Sequence, residues 1–355
     1  MKRNSKKRLW WLGVFGLLLF ASGLVLLTST GSAPTLRVPV YSAPRPASTM
    51  TQPNKLVLPH GAIQKAILPL RGNRVDQGFG ANTIQSIVAG FELQAVSGRA
   101  PHCSRTVTAQ CITFTEERNS DLKYVGTTSS APQVRRIGGD ALRSGIAYFS
   151  VTMQGPWDTA VGFNNVRVLI DGNGDGKADA IVESIRVPGA FPGDVTDVPV
   201  AATFSLRTGE LLDLEPLNDV FGDVDTAMFD SSTIILPVAI GAIPGVTRKH
   251  SRIHYVVQGL SGYQSAPVDR TGTYNPQNLA LRHTLSMDVL HPGVSVYGSY
   301  DGRGSALLYE DSAGSVLQLQ RDRDSYNRDH ALGALIVHLH NQLGRKAQRV
   351  ALINR

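Results

Sequence analysis

Short apolar stretches recur along most of this 355-residue chain at intervals of roughly ten residues, each closed by Gly, Pro, Asn or Asp. "IAYFSVTM" (146–153), "NVRVLI" (165–170), "AIVESIRV" (180–187), "VPVAATFSL" (198–206), "TIILPVAI" (233–240) and "RIHYVVQGL" (252–260) all favour β-branched and aromatic residues. That spacing leaves no room for long amphipathic helices, so it predicts an all-β protein built from β-sandwich modules. A second set continues the pattern: "GVSVYGSY" (293–300), "SALLYE" (305–310), "SVLQLQ" (315–320), "GALIVHLH" (333–340) and "RVALI" (349–353). In "NTIQSIVAGFELQAV" (82–96) only the "FELQAV" half alternates, and it reads as a strand. The Gly, Pro and Asn-rich stretch 259–278 suggests a linker, giving one β-sandwich domain over 62–262 and a second, smaller one over 263–355.

The N-terminus is organised differently. Lys2, Arg3, Lys6, Lys7 and Arg8 precede an uncharged apolar run, Leu9–Leu27. As a helix rising about 1.5 Å per residue that run matches the hydrocarbon thickness of a bilayer. Residues 1–8 are therefore expected to be a cytoplasmic tail and 9–27 a transmembrane signal anchor, with a cleaved signal peptide as the rival, since "TSTGSA" supplies small residues after the run. Either places the rest of the chain outside the cytoplasm: on the cell membrane as a single-pass protein, or secreted. Residues 28–61, with six prolines and scattered Ser and Thr, read as an extended stalk. The net charge of +7 is concentrated in the tail; without those five residues, 30 basic groups face 28 acids, which argues against a nucleic-acid partner.

The two cysteines, Cys103 and Cys111, are expected to pair in an oxidising compartment. Closing so short a loop is worth about 2.5 kcal/mol by the chain-entropy argument.

"DGNGDGKAD" (171–179) places Asp171, Asn173, Asp175 and Asp179 in the pattern D-x-N-x-D-G-x-x-D between two strands. Oxygen side chains on alternate residues, separated by glycines that tolerate unusual φ, suit Ca²⁺, with the Lys177 carbonyl as a further donor. Val182 stands where an EF-hand carries its closing Glu, and flanking helices are missing, so the expected site is a strand-loop-strand calcium loop with a structural role. The alternative is an empty Asp/Asn/Gly hairpin.

Several ordered landmarks, "DLKYVGTTSSAP" (121–132), "GIAYFSVTMQGPWDTA" (145–160), "VRVLIDGNGDGKADAIV" (166–182), "FGDVDTAMFDSSTIILPVAIGAI" (221–243), "RIHYVVQGLSG" (252–262) and "GALIVHLHNQLGRKAQRV" (333–350), resemble the non-catalytic C-terminal region of secreted bacterial subtilisin-like serine peptidases. The resemblance covers residues 88–355 and implies sandwich modules of the immunoglobulin or fibronectin type. The peptidase motifs themselves are missing: "HGA" at His60 falls in the stalk, and "GTTSSA" (126–131) reads as a strand-to-turn segment without Met or helix. Protease activity is therefore not implied.

Other residues are weighed against ordinary structural roles. His338 and His340 would share one face of a half-exposed strand, within reach of His330, His283 or His291 only if the fold brings them together. Glu183, Glu210 and Glu215 are candidate glycosidase acids; Trp157 reads as a sandwich-edge anchor. Asp223, Asp225, Asp230, Asp322, Asp324 and Asp329 lack the glycine spacing of the first loop and read as turn acids. The stretch Arg207–Ser232 is the largest candidate recognition loop. The expectation is a membrane-anchored or secreted, non-enzymatic binding, adhesion or envelope-structural module with an extracellular protein or glycan ligand; the alternatives are an accessory subunit of a secreted peptidase and a hydrolase.

Overall fold

A computed structural model describes residues 47–78, 83–157, 161–189, 195–220, 231–300 and 305–355, all within one unit that spans Pro44–Arg355. The protein is all-β. The largest sheet runs β1 (Lys55–Leu58), β20 (Ala347–Asn354), β19 (Gly333–Leu339), β3 (Ile87–Val96), β4 (Leu122–Ser129), β5 (Ile146–Trp157), β10 (Ser231–Ala239), with β17 (Tyr309–Glu310) added to β3. A second sheet runs β12 (Asp269–Arg270), β11 (Arg252–Ser261), β6 (Asn164–Asp171), β7 (Ala180–Pro188), β8 (Val195–Ser205), β9 (Leu211–Pro216), with β15 (Leu285–Asp288) on β11. Two small sheets complete it: β16 (Val294–Tyr297), β18 (Val316–Asp322) and β2 (Ile63–Pro69), and the pair β13 (Thr273–Tyr274) and β14 (Leu281–Arg282). Among the described residues, helices are one or two turns long, such as Ala131–Arg136 and Arg323–Arg328.

The alternation that marked these segments as strands also distributes their side chains. Phe149, Val151, Leu236 and Val238 of the first sheet meet Val168, Ile170, Tyr255 and Val257 of the second in the main core. Beside it, Val88 and Ile336 pack on Val296, Leu317 and Leu319 of the three-stranded sheet. The opposite face of the first sheet carries Phe91, Tyr148, Ile235, Leu335 and Val337 under Leu307 and Leu308. A sheet covered on both faces needs near-continuous apolar strands, which is why "GALIV" and "TIILPV" lack polar breaks.

Two expected boundaries are corrected. The stalk was expected to reach residue 61, but from Ala47 onward the chain is built into the body: Met50 and Leu58 are fully buried, and β1 pairs in parallel with β20. Asn341 anchors this segment, accepting from the Met50 N–H at 2.7 Å and donating from Nδ2 to the Met50 carbonyl at 2.8 Å. The side-chain amide thus stands in for a strand neighbour where prolines and polar residues hid the β pattern. Nor does the chain divide at 262/263. β19 lies hydrogen-bonded against β3 from Gly333↔Leu93 to Leu339↔Ile87, and β18 pairs with β2 along its length. The supposed linker folds back onto β11, with Val268 N donating to Gly259 O and Thr271 N to Val257 O. Composition shows turns; it cannot show which distant strand a segment completes. Residues 1–8, 9–27 and 28–46 lie outside the described residues, and among the described residues no helix is long and apolar enough to cross a membrane.

Glu92 sits where the two inner cores meet. It is 1% exposed, receives a hydrogen bond from Gln94, and is approached by the backbone amides of Gly293 and Val294. Gly293 is needed there, because a Cβ would come within 2.2 Å of Glu92 Oε2. Burial pushes the Glu92 carboxyl up to about 8, against which the hydrogen bonds and the charge of Arg252 act only partly. An unfolded Glu releases its proton near 4.5, so between about pH 4.5 and 8 the folded chain holds a proton that the unfolded chain has lost. Stability must therefore fall as pH rises through this window. Glu92→Gln, which cannot titrate, is expected to flatten that fall by a few kcal/mol at most, one pKa unit being about 1.4 kcal/mol; urea midpoints at pH 5, 6.5 and 8 for both proteins measure it.

Candidate functional site

The Asp171–Asp179 loop joins β6 to β7 and folds around its own acids. Asp171, 1% exposed, accepts from the Gly174 N–H at 2.6 Å and the Gly176 N–H at 2.8 Å. Asp179 accepts from Gly172 N, from Asn173 N and, at 3.1 Å, from Asn173 Nδ2. Asn173 Oδ1 and Asp175 Oδ1 each accept the N–H two residues on, at 2.8 and 2.9 Å. Gly174 and Gly176 take φ of +81° and +82°, the left-handed conformation that lets these amides turn inward. The loop is also seated: Ala178 N donates to Leu279 O, Leu281 N donates to Gly176 O, and a Cβ on Gly172 would fall 2.1 Å from Pro244 O.

The donor set is all oxygen, the chemistry that Ca²⁺ takes. Burial raises the Asp179 carboxyl above the usual aspartate range, the loop amides lower it, and the charges of Asp171 and Asp175 raise it further, so three acids feel one another here. As folded, their oxygens are turned onto amides, and among the described residues no three His, Cys, Asp or Glu side chains converge as a metal cluster. Each carboxylate oxygen has a second lone pair, so Asp171, Asn173, Asp175, Asp179 and the Lys177 carbonyl could serve a cation after small rotations of the exposed side chains.

The other residues singled out from sequence separate in space. His338 is 1% exposed and lies within the fold, correcting the half-exposed strand face: its Nδ1 is 2.8 Å from Asp311 Oδ2 and its Nε2 is 2.6 Å from Gln52 Oε1. His340 lies beyond the end of β19 at φ +61°, so the two histidines do not share a strand face. Ser86 Oγ donates to Asp311 Oδ2 at 2.7 Å, placing the carboxylate between serine and histidine; a nucleophile needs the histidine in that place. "GTTSSA" does lead from β4 into a helix, Ala131–Arg136, unlike the expected bare turn, but Ser130 Oγ accepts from Ile146 N. Glu183 pairs with Arg167. Glu183 faces Ala202 and Glu215 faces Ala201, so these acids point to opposite sides of the sheet and cannot flank one bond. Glu215 is held up at about 7 by burial and by Asp213 and Asp219. Trp157 is buried, as an edge anchor should be. Arg207–Ser232 contains β9, so it is not one long loop; residues 221–230, with Asp223, Asp225 and Asp230, lie outside the described residues.

Cys103 and Cys111 are disulfide-bonded. They staple the excursion between β3 and β4, which carries a feature that sequence analysis missed. Phe114, Phe163 and Tyr263 come from three separate segments, are 50%, 69% and 54% exposed, and form one cluster. Phe163 stacks on Tyr263 with centroids 5.5 Å apart and 11° between planes; Phe114 meets Tyr263 edge-on at 5.3 Å. The β6–β11 ladder ends at Asn164↔Ser261, and the Gly262 N–H donates onward to Phe163 O, which sets the two rings side by side. Gln264 Nε2 ties Tyr263's segment to Cys111 O at 3.0 Å. Isolated aromatics in loops gave no signal, because only the ladder register brings them together. The acidic loop lies at the other end of β6, roughly 23 Å away for the seven steps from Asn164 to Asp171.

Comparisons with family models, with curated proteins and with solved structures find no match to this chain. The loop geometry alone separates two aspartates: Asp171→Ala strands two inward amides and is expected to cost about 1–3 kcal/mol, whereas exposed Asp175→Ala should cost under about 1 kcal/mol. Urea unfolding in the presence of EDTA measures both, and equal losses would show that the Asp171 bonds do not hold the loop.

Proposed function

We propose that the chain is an exported, non-enzymatic β-sandwich binding module of the cell surface, and that it recognises glycan through Phe114, Phe163 and Tyr263. The carrying observation is that three aromatic rings from three segments are gathered and left exposed at one end of the second sheet. A contiguous, exposed patch of ring surface of this kind is the mark of an interaction site. Flat rings held by backbone register suit the C–H faces of sugars, and Tyr263 adds a hydroxyl. Placement outside the cytoplasm is supported by the basic tail and apolar run of residues 2–27 and by the disulfide on the same excursion as Phe114.

Calcium belongs to this proposal as a structural ion of the Asp171–Asp179 loop. Situated at the far end of β6, it would stiffen the β6–β7 hairpin without touching ligand. Extracellular modules hold such ions with Kd around 10⁻⁴–10⁻³ M, so a few millimolar Ca²⁺ should raise Tm by a few degrees. Asp175→Ala should abolish that rise; a melt indifferent to both Ca²⁺ and EDTA would remove the ion from the account.

The binding surface is tested separately on a glycan array, followed by calorimetry with the best oligosaccharide. Phe163→Ala and Tyr263→Ala are each expected to weaken binding at least about tenfold, with Tm changed by less than about 2 °C since both rings are more than half exposed. An array with no hits, or hits unaffected by both substitutions, would sink the glycan reading.

A further inference from the structure

A cavity lies on the outer face of the first sheet, where β20 is brought across from the C-terminus toward β4 and β5. It measures about 470 Å³, and its lining includes Lys123, Tyr124, Thr152, Arg345 and Arg349. That volume is in the range of small-ligand sites. Among the described residues of its lining every charged side chain is basic. Lys123, Arg345, Arg349 and nearby Arg99 make no ion pair with any described carboxylate. Burial lowers the half-buried Lys123 ammonium below the usual lysine range, and the charges of Arg99, Arg345 and Arg349 lower it further. Three guanidiniums therefore act on the Lys123 ammonium, two of them, Arg345 and Arg349, from the cavity lining.

Like charges gathered this closely repel one another, and a bound anion would relieve that repulsion. The ring of Tyr124 holds two of the cations in place: Lys123 Nζ is 5.2 Å and Arg349 Cζ 5.8 Å from its centroid. Register explains the placement. Tyr124 lies opposite Thr152, and Arg349 opposite Leu335, all on the same face of the sheet. Lys and Arg set around a concave, polar pocket form the donor set that phosphate and sulfate take, a point charge from Lys and a planar fork from Arg.

We propose that this cavity is a binding site for a small phosphate- or sulfate-bearing molecule, held by Lys123, Arg345 and Arg349. The site is distinct from the aromatic cluster and stands or falls independently of it. Its concavity and size favour a soluble small molecule over a flat lipid surface, and a neutral glycan would leave the cations unpaired.

The test is calorimetric titration of the whole chain with inorganic phosphate, pyrophosphate and sulfate at low salt, with Tm recorded in parallel. Pyrophosphate is expected to bind, to raise Tm, and to weaken with added NaCl. Lys123→Gln/Arg349→Gln should lose at least about tenfold in affinity while its anion-free Tm stays equal or rises, because like-charge repulsion is relieved. The charge-preserving Lys123→Arg/Arg349→Lys should retain binding within a few-fold. No heat and no Tm shift with any of the three anions, or undiminished binding in the Gln pair, would overturn the site. Co-sedimentation with phosphatidylglycerol vesicles but no pyrophosphate binding would overturn it in favour of a membrane-surface role.

Discussion

The pairing of β3 with β19 is the interaction on which the rest of the structure depends. Seven consecutive register pairs join residues 87–93 to residues 333–339, and through them every other part of the first sheet is joined. β1 and β20 attach on one side of this pair, and β4, β5 and β10 on the other. Both faces of the pair are covered, one side chain in two going to each core: Val88 and Ile336 inward, Phe91 and Leu335 outward. Closing a loop this long costs entropy before any contact is gained, so the pairing must be offset by the burial it allows.

That closure places one of the two surfaces proposed to bind ligand. Arg349 comes near Tyr124 only because β20 follows β19 into the sheet, so the basic cavity is a product of the terminal strands meeting the central ones. The aromatic cluster depends on the second sheet, where the β6–β11 ladder carries Phe163 and Tyr263 to its end, and on the disulfide-stapled excursion that brings Phe114. The acidic loop occupies the opposite end of the same ladder, His254↔Asp171. An ion there and a ligand at the aromatic end would act on one rigid pair of strands without sharing a residue.

Much of this was legible in the sequence where the signal was local. Alternation and β-branching identified "NVRVLI", "AIVESIRV" and "RIHYVVQGL" to within a residue or two, and the D-x-N-x-D-G-x-x-D spacing located a loop that does wrap its acids. Partnership was not legible. "KLVL" follows Pro53 and precedes Pro59, so it looked like stalk, although its edge position beside β20 tolerates both prolines. The turn-rich 259–278 looked like a linker because turn residues mark a reversal whether or not a new domain follows. Nothing in the composition of "RKAQR" (345–349) places it against Lys123. Phe114, Phe163 and Tyr263 stand far apart in sequence, and only strand register makes them one surface.

Native-state hydrogen exchange across a denaturant series tests the central claim, closure of one body by its terminal strands, most directly. Core amides of β3, β4 and β5 and those of β19 and β20 should converge on one unfolding isotherm with a common free energy and slope. Separate isotherms, with residues 263–355 opening as a unit while 62–262 stays protected, would contradict it.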